Sequence, residues 1–139
     1  MITGIIPYLS FDGQCETAFK FYAKALNGEL VTLMRYGDAP PEIPSTPETA
    51  SRIIHALLKV GEHSLMGGDA PSQFASKPQG FCVSLQVDDP AEAERAFGAL
   101  AEGGRINMPF GPTFFAQRFG MLIDKFGIPW MVNCPQPTA

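Results

Sequence analysis

Histidine is the side chain best suited to proton transfer near neutral pH, and this sequence contains two. His55 lies in the segment RIIHALLK, where it alternates with Ile53 and Leu57. If that face of the strand points into a ligand cavity, His55 can act as an acid or a base; otherwise it is a hydrogen-bonded structural histidine. His63 follows a predicted tight turn, so we expect it to be solvated. His55 is therefore the candidate catalytic residue, although the sequence names no partner for it.

Cysteine offers a second kind of chemistry. Cys15 lies at the predicted start of a helix, where the partial positive charge lowers the pKa of a thiol and favours nucleophilic reactivity. The alternative is an inert, half-buried thiol, because no base is visible near it in the sequence. Cys82 is expected in the core and Cys134 near the C-terminus. Three widely spaced cysteines favour reduced thiols and a cytoplasmic protein over a disulfide framework.

Aromatic residues near the C-terminus are suited to wall a ligand pocket, and core packing is the alternative for them. Phe114 and Phe115 follow a predicted strand, and Trp130 lies on the last strand. Arg118 has a planar guanidinium that can bind a carboxylate or phosphonate through two hydrogen bonds, or can form an ion pair, with Asp124 as the candidate partner. The candidate ligand-binding residues are His55, Phe114, Phe115, Arg118 and Trp130.

One unit of secondary structure, written twice, must position these side chains. Six residues of the first half have an identical or similar residue 76 positions later in the chain. The pairs are Asp12 and Asp88, Glu16 and Glu92, Phe21 and Phe97, Ala23 and Ala99, Gly28 and Gly104, and Leu30 and Ile106. Each set follows an apolar alternating segment, IIPYLSF or FCVSLQV, and each precedes a hairpin-like segment. The order β-α-β-β-β is therefore predicted twice, with helices outside and a ligand cleft between the copies.

The first copy is predicted to contain a strand, a helix, a strand and a hairpin, at residues 2–11, 15–26, 30–36 and 52–67. The helix stops at Asn27-Gly28, and Asp69 is expected to cap a pocket edge or to hold a turn. Prolines at positions 40, 41, 44 and 47 predict an exposed loop or lid over residues 37–51.

The second copy is predicted to repeat this order with a sharper helix start. Its elements are a strand at 81–87, a helix, a strand at 105–110, a loop or short helical turn at 111–118 and a hairpin at 119–134. Asp89 is the predicted N-cap, Pro90 the first helical residue, and Glu92 is expected to reach back to the cap. Gly103-Gly104 is predicted to end the helix.

Length and composition exclude several classes of protein. At 139 residues the chain is one domain, for which we predict a first module at 1–70, a linker at 71–80 and a second module at 81–139. A net charge of −4 and the absence of a basic stripe argue against nucleic acid. No apolar run approaches the roughly 18 residues of a membrane span, and the N-terminal segment MITGIIPYLSF lacks a basic n-region, so we do not expect it to act as a secretory signal.

Four segments carry a resemblance to a known family. They are PYLSFDGQCETAFKFYAKALNGEL, IIHALLKVGEHSLMGGDAP, VDDPAEAERAFGALAEGG and MPFGPTFFAQRFGMLIDKFGIPWMVNC. Together they resemble the PhnB-like branch of the vicinal-oxygen-chelate superfamily, which includes glyoxalase I, extradiol dioxygenases and bleomycin-resistance proteins. Some members of the branch carry the label 3-demethylubiquinone 3-methyltransferase. The resemblance implies an α+β fold of two tandem βαβββ modules with a cupped mixed sheet, a homodimer, and a ligand or metal site in the cup.

The ligands that the superfamily uses for a metal are not found at the corresponding places. Metal-using members supply a His or Gln near the first strand of each module and a Glu on the last strand, but here Met66 and Met131 lie about where the Glu would be. Gln86 is the one ligand-like side chain of the first strands. Thioethers are soft donors and do not replace carboxylates for hard divalent ions. We therefore predict no metal and no other cofactor.

The activity implied by the methyltransferase label can be checked in the same way. The sequence has no G-x-G-x-x-G turn of the kind that holds S-adenosylmethionine in the usual doubly wound fold, so methyl transfer is not predicted. The prediction is a cytoplasmic, homodimeric, PhnB-like protein that binds a small anionic or aromatic molecule without a metal. The alternative is a glyoxalase-type lyase or isomerase that uses His55 or a metal recruited through unexpected ligands.

Overall fold

A computed structural model describes residues 1–71 and 76–137 of the chain. The chain forms two compact units, Met1–Ser76 and Lys77–Ala139. Part of the predicted linker, residues 72–75, lies outside the described residues. Within the described ranges, no helix is both long and apolar enough to span a bilayer.

The first unit packs one helix on a four-stranded mixed sheet, here called sheet A. Its elements are β1 (Tyr8–Phe11), α1 (Cys15–Leu26), β2 (Glu29–Arg35), a short 3-10 helix (Tyr36–Asp38), β3 (Ile53–Val60) and β4 (His63–Asp69). The strand order is β1-β4-β3-β2, in which β1 runs parallel to β4 and the other pairs are antiparallel. The proline-rich segment between the 3-10 helix and β3 is largely exposed, and the hydrogen bond from Gly37 N to Ala50 O closes its base.

The second unit has the same topology, and its sheet is here called sheet B. Its elements are β5 (Val83–Gln86), α2 (Pro90–Ala101), β6 (Arg105–Gly111), β7 (Ala116–Ile123) and β8 (Pro129–Pro135). The strand order is β5-β8-β7-β6, with β5 parallel to β8. The predicted α+β class and the twice-repeated βαβββ order are confirmed.

The helix ends follow the predicted capping residues. Asn27 ends α1 in the left-handed conformation, with φ of 54°. At the start of α2, Asp89 Oδ2 accepts a hydrogen bond from Glu92 N at 3.0 Å, and Pro90 occupies the first turn. The Glu92 carboxylate does not complete the predicted capping box: it accepts two hydrogen bonds from Arg95, one turn along the helix.

Two predicted boundaries were wrong. The first strand was expected over residues 2–11, but β1 begins at Tyr8, where its pairing with Met66 starts. Pro7 has no backbone N–H to donate to a ladder, and the residues before it form no strand. The loop predicted over 111–118 ends earlier, because Ala116 already pairs with Pro135 of β8. Arg118 therefore lies in a strand.

Each sheet has one face covered by its helix and one face without a helix, here called the open face. In sheet A the covered face carries Leu9, Ala56 and Leu58, which are buried together with the inner residues of α1. A Cβ on Gly67 would lie 2.6 Å from Phe19 of α1, so glycine permits this close packing. In sheet B, Gly120 approaches Phe97 of α2 in the same way.

Two buried aspartates hold the backbone that surrounds the sheets. The Asp69 carboxylate, at the end of β4, accepts hydrogen bonds from Gly13 N, Cys15 N and Ile53 N at 2.8 to 3.0 Å. Asp69 thus caps the N-terminus of α1 from a distant strand and also binds the backbone at the start of β3. This role is wider than the predicted one of holding a local turn. Asp124 accepts from Phe126 N, Ile128 N and Trp130 Nε1 and fixes the β7–β8 turn.

Candidate functional site

The open face of sheet A carries a stacked pair of rings. Tyr8 and His55 lie with ring centroids 6.0 Å apart and planes inclined by 22°. The Tyr8 hydroxyl donates to Ile54 O at 3.2 Å, so the ring lies across β4. It crosses at Gly68, where a Cβ would lie 2.7 Å from the Tyr8 oxygen. Because glycine has no side chain, Gly68 leaves room for the Tyr8 ring, which stacks on His55.

Partial burial raises the pKa of the Tyr8 hydroxyl above its usual value. Tyr8 therefore stays a neutral phenol at physiological pH and keeps donating its hydrogen bond. His55 is half-buried, whereas His63 is exposed, as expected. The His55 imidazole is positioned by stacking and is accessible from the open face, which leaves it able to contact a ligand.

Apolar side chains surround this ring pair. Backbone register aligns Tyr8 with Met66, Met66 with Leu57, and Leu57 with Thr32, in one row across all four strands. Met34 pairs with His55 in the neighbouring row and is exposed. The open face of sheet A is therefore a largely apolar surface that carries one imidazole, one phenol and the hydroxyl of Thr32.

The open face of sheet B has a corresponding row rich in methionine. Register aligns Ser84 with Met131, Met131 with Met121, and Met121 with Met108, again across all four strands. These side chains are exposed or half-buried. Since thioether side chains are flexible and polarizable, the row forms an adaptable apolar surface.

A polar row lies beside the methionines. Register aligns Gln86 with Asn133 and Asn133 with Phe119. Asn133 Nδ2 donates to Gln86 Oε1 at 2.8 Å, and Gln86 Nε2 donates to Ser84 Oγ at 2.8 Å. The three uncharged side chains thus form one continuous hydrogen-bonded chain along the edge of the open face.

Aromatic rings border this surface at the start of β7. Phe115 packs on Phe119 with centroids 5.0 Å apart, and Phe114 packs on Phe115 at 5.2 Å. The Thr113 hydroxyl accepts hydrogen bonds from Phe115 N and Ala116 N, which fixes the turn that presents the rings. Phe114 is 100% exposed and Phe115 47% exposed. Two of the predicted wall residues therefore do lie together.

The other predicted residues of this unit lie on the covered side of sheet B. Trp130 is 1% exposed, pairs with buried Leu122 and donates Nε1 to Asp124 at 2.9 Å, so it is a core residue. Arg118 pairs with Cys134, whose side chain is buried on the same covered side, and its guanidinium donates to Gln117 O. Alternation along β7 and β8 thus separates Trp130 and Arg118 from the open face.

The cysteines show no sign of nucleophilic activation. All three are free, and Cys15 and Cys134 are buried. Burial, with the nearby Asp69 and Glu16 carboxylates, raises the pKa of Cys15 to about 12. Desolvation and negative charge here outweigh the helix N-terminus, so the inert alternative describes Cys15 correctly.

No three His, Cys, Asp or Glu side chains come together as a metal-binding group within residues 1–71 and 76–137. At the centres of the open faces the register places Tyr8 beside Met66 and Ser84 beside Met131. Even with the His55 imidazole beside Tyr8, the phenol, the hydroxyl and the two thioethers lack the carboxylates that a hard divalent ion prefers. The donor set does not fit such an ion.

Several residues of the open faces were missed by sequence reasoning, namely Tyr8, Gly68, Ser84, Met108 and Met121. Alternation along β5 and β7 carries part of the signal, but Met108 lies between two register shifts of β6. Register was needed to read it, because only pairing shows that these alternate residues of different strands share one face.

Comparison with known proteins gives a consistent family assignment. Residues 3–133 match the family described as 3-demethylubiquinone-9 3-methyltransferase. Protein YjdN of Escherichia coli (strain K12) is 35% identical in an alignment of 144 positions, gaps included, which covers 95% of this chain and 97% of that protein. Protein PA1353 from Pseudomonas aeruginosa is 44% identical, with a TM-score of 0.90 and coverage of 98% of this chain and 100% of that one.

Two further structures share this fold. A putative 3-demethylubiquinone-9 3-methyltransferase, PhnB protein, from Bacillus cereus is 27% identical, with a TM-score of 0.76 and coverage of 95% and 99%. The fosfomycin resistance protein FosX from Listeria monocytogenes, complexed with Mn(II) and 1S,2S-dihydroxypropylphosphonic acid, shares the fold at 12% identity, with a TM-score of 0.65 and coverage of 98% and 95%. This chain therefore belongs to the family described as 3-demethylubiquinone-9 3-methyltransferase, the PhnB-like branch of the vicinal-oxygen-chelate superfamily.

Proposed function

We propose that this protein binds a small organic molecule on the open face of its sheets and does so without a metal ion. The observation that carries the proposal is the composition of those faces. Each presents half-buried methionines and aromatic rings beside a few oriented polar groups, which is the usual make-up of a small-molecule site. The opposite faces are filled by the helices and serve as core.

Metal independence rests on the donors at the centre of each face. The FosX structure contains Mn(II), but the residues discussed above supply thioethers, a phenol and a serine hydroxyl instead of carboxylates. Without a Lewis acid, binding relies on apolar contact and hydrogen bonds. Methyl transfer is not part of the proposal, because the chain has no glycine-rich turn for S-adenosylmethionine.

Among the residues proposed for ligand contact, His55 and Phe115 have the strongest support. Both lie on open faces, and each is positioned by a neighbouring ring. Phe114 extends the aromatic border. Trp130 and Arg118 lie on the covered side of sheet B, Trp130 in the core and Arg118 exposed near the start of β7, so neither is proposed to touch a ligand on the open face.

A glyoxalase-type isomerase or lyase is the second candidate, because the His55 imidazole stacks on Tyr8 and is accessible from the open face. Such an enzyme would need a stabiliser for the developing negative charge, for which a recruited metal is the superfamily's solution. Metal analysis of protein purified without chelator distinguishes the candidates. Stoichiometric nickel, zinc, iron or manganese would favour the enzyme, whereas metal-free protein that retains binding favours the proposal.

We also propose a cytoplasmic homodimer. The three free cysteines support a reducing compartment. The exposed apolar residues Ile2 and Ile5 and the uncapped edge strands support association with a second copy. Light scattering at micromolar concentration should give twice the chain mass, and a mass of one chain would contradict the dimer.

The binding proposal is tested with chelator present. Protein in EDTA is screened by ligand-observed NMR against a panel of small carboxylates, phosphonates, quinones and aryl amides. The change His55→Ala or Phe115→Ala should weaken the binding of hits. The matched controls are His63→Ala, at the exposed histidine, and Phe81→Ala, at a phenylalanine with the same 47% exposure as Phe115. A panel without hits, or hits that appear only after metal is added, would refute the proposal.

A further inference from the structure

We propose that the hydrogen-bonded chain of Asn133, Gln86 and Ser84 selects an uncharged ligand: a planar, apolar molecule with one amide, ketone or hydroxyl group. This inference rests on the proposed function, because it names the ligand class for the open face of sheet B. It also replaces the anionic ligand that Arg118 suggested, since Arg118 lies on the covered side of that sheet.

The three hydrogen-bonded side chains keep further donors and an acceptor that a ligand can use. Asn133 uses one N–H to reach Gln86, and Gln86 uses one N–H to reach Ser84. Each primary amide has a second N–H, Asn133 has its carbonyl oxygen, and the Ser84 hydroxyl has its own hydrogen. Ser84 and Gln86 are exposed. The edge of the face can therefore donate to, and accept from, one polar group.

Charge is missing from this surface. The two register rows that form it consist of Ser84, Met131, Met121 and Met108, and of Gln86, Asn133, Phe119 and Gly111. None of these side chains is ionisable. Arg105 pairs with Ile123 and lies on the same face in the next row, but on β6, at the edge of the sheet opposite to Gln86 on β5. A carboxylate or phosphonate placed at the amide chain would therefore lose water and meet no cation there, which is unfavourable.

The apolar part of the surface sets the shape of the ligand. Methionine side chains adapt to flat groups and make favourable contacts with aromatic edges. Phe115, which is 47% exposed and packs on the buried Phe119 with centroids 5.0 Å apart, forms a border against which a planar ring can pack. The face is thus suited to a ring system that lies on the methionines with its polar group at the amide chain.

The test uses three probes with the same ring system, titrated by calorimetry into the full chain in EDTA. The probes are 2-naphthamide, which is neutral and polar, 2-naphthoate, which is an anion of nearly the same shape, and 2-methylnaphthalene, which forms no hydrogen bonds. The variant is Gln86→Ala, which interrupts the chain on an exposed strand. The matched control is Gln79→Ala, at an exposed glutamine outside the strands.

We expect 2-naphthamide to bind at least about tenfold more tightly than 2-naphthoate, since a lost hydrogen bond is worth about a factor of ten. Gln86→Ala should remove that advantage and leave binding of 2-methylnaphthalene unchanged, which also shows that the variant is folded. Equal or tighter binding of 2-naphthoate, an unaffected Gln86→Ala variant, or no binding of 2-naphthamide would overturn the inference. If the wider panel still yields metal-independent hits, only the inference fails; a panel without hits refutes the proposed function as well.

Discussion

Replacing Asp69 with alanine should destabilise the first unit more than any other single loss of a carboxylate there. The Asp69 side chain is 4% exposed and accepts hydrogen bonds from the backbone N–H groups of Gly13, Cys15 and Ile53. Gln14, at the N-cap of α1, makes no side-chain capping bond, so Asp69 supplies the cap from β4. Its removal therefore affects both the helix start and the strand that carries His55.

The size of this loss in stability follows from the backbone N–H groups that lose their acceptor. The Cys15 and Ile53 bonds are buried, and a buried donor without a partner costs about 1–3 kcal/mol, whereas Gly13 N is only partly buried and water can replace its acceptor. We therefore expect Asp69→Ala to lower the free energy of unfolding by about 3–5 kcal/mol. Asp69→Asn keeps one oxygen acceptor but turns an amide N–H toward a backbone donor, and about 2 kcal/mol should be lost.

Chemical denaturation followed by circular dichroism measures these changes, with Asp38→Ala as the control at an exposed aspartate. For a chain of this length, each kcal/mol corresponds to about 3 °C in Tm, so Asp69→Ala should lower Tm by about 10–15 °C. Asp38→Ala should stay within about 0.5 kcal/mol of the parent. An Asp69→Ala variant within about 1 kcal/mol of the parent would show that the carboxylate does not hold the backbone as described.

Three further predictions concern charge, thiols and glycines. The pKa of Glu16 is lowered to about 2, first by its hydrogen bonds to Arg35 and then by that to Lys20. The stabilisation is present above the usual carboxyl pKa and is lost as pH falls toward 2. Because the Glu16 and Arg35 side chains are still 30% and 36% exposed to water, Glu16→Gln should cost less than about 1 kcal/mol at pH 7, and an undiminished difference at pH 2 would contradict this. Iodoacetamide at pH 8 should modify Cys82 well before Cys15, as read by peptide mass spectrometry, and equal rates would argue against the burial of Cys15. In thermal melts, Gly98→Ala should stabilise α2 by about 0.5–1 kcal/mol, because the added Cβ meets nothing within 4 Å. Gly120→Ala should destabilise the second unit, because its Cβ would lie 2.7 Å from a Phe97 ring atom. Changes of the same sign in both variants would count against this packing.

Local signals in the sequence were sufficient for the helices. α1 spans Cys15–Leu26 as predicted, because an apolar stripe at helical spacing and the Asn27 stop are both local. Asp89 and Pro90 fixed the start of α2 for the same reason. The repeated order of elements followed from the matching positions of the two copies, and the shared topology of sheets A and B agrees with it.

Strand limits and the face of each side chain depend on partners that are distant in the sequence. Ile2, Ile5 and Ile6 have the composition of a strand, but β1 begins only where Met66 offers a partner to Tyr8. Trp130 looked like a pocket wall because it is aromatic and near the C-terminus. Its pairing with Leu122 and its bond to Asp124 instead place it in the core, and neither contact can be read from local sequence.

Methyl NMR can show directly whether the open faces bind an organic molecule without a metal. The chain has six methionines: Met34 and Met66 lie on the open face of sheet A, Met108, Met121 and Met131 lie on that of sheet B, and Met1 is exposed in the N-terminal segment as an internal control. Protein labelled with ¹³C at the methionine methyls is titrated in EDTA with the tightest-binding compound of the panel. Ligand binding on an open face should shift the NMR signals of its methionine methyls in a saturable way and leave the Met1 signal unchanged. Unchanged open-face methyls while the compound binds, or shifts that require added metal, would contradict it.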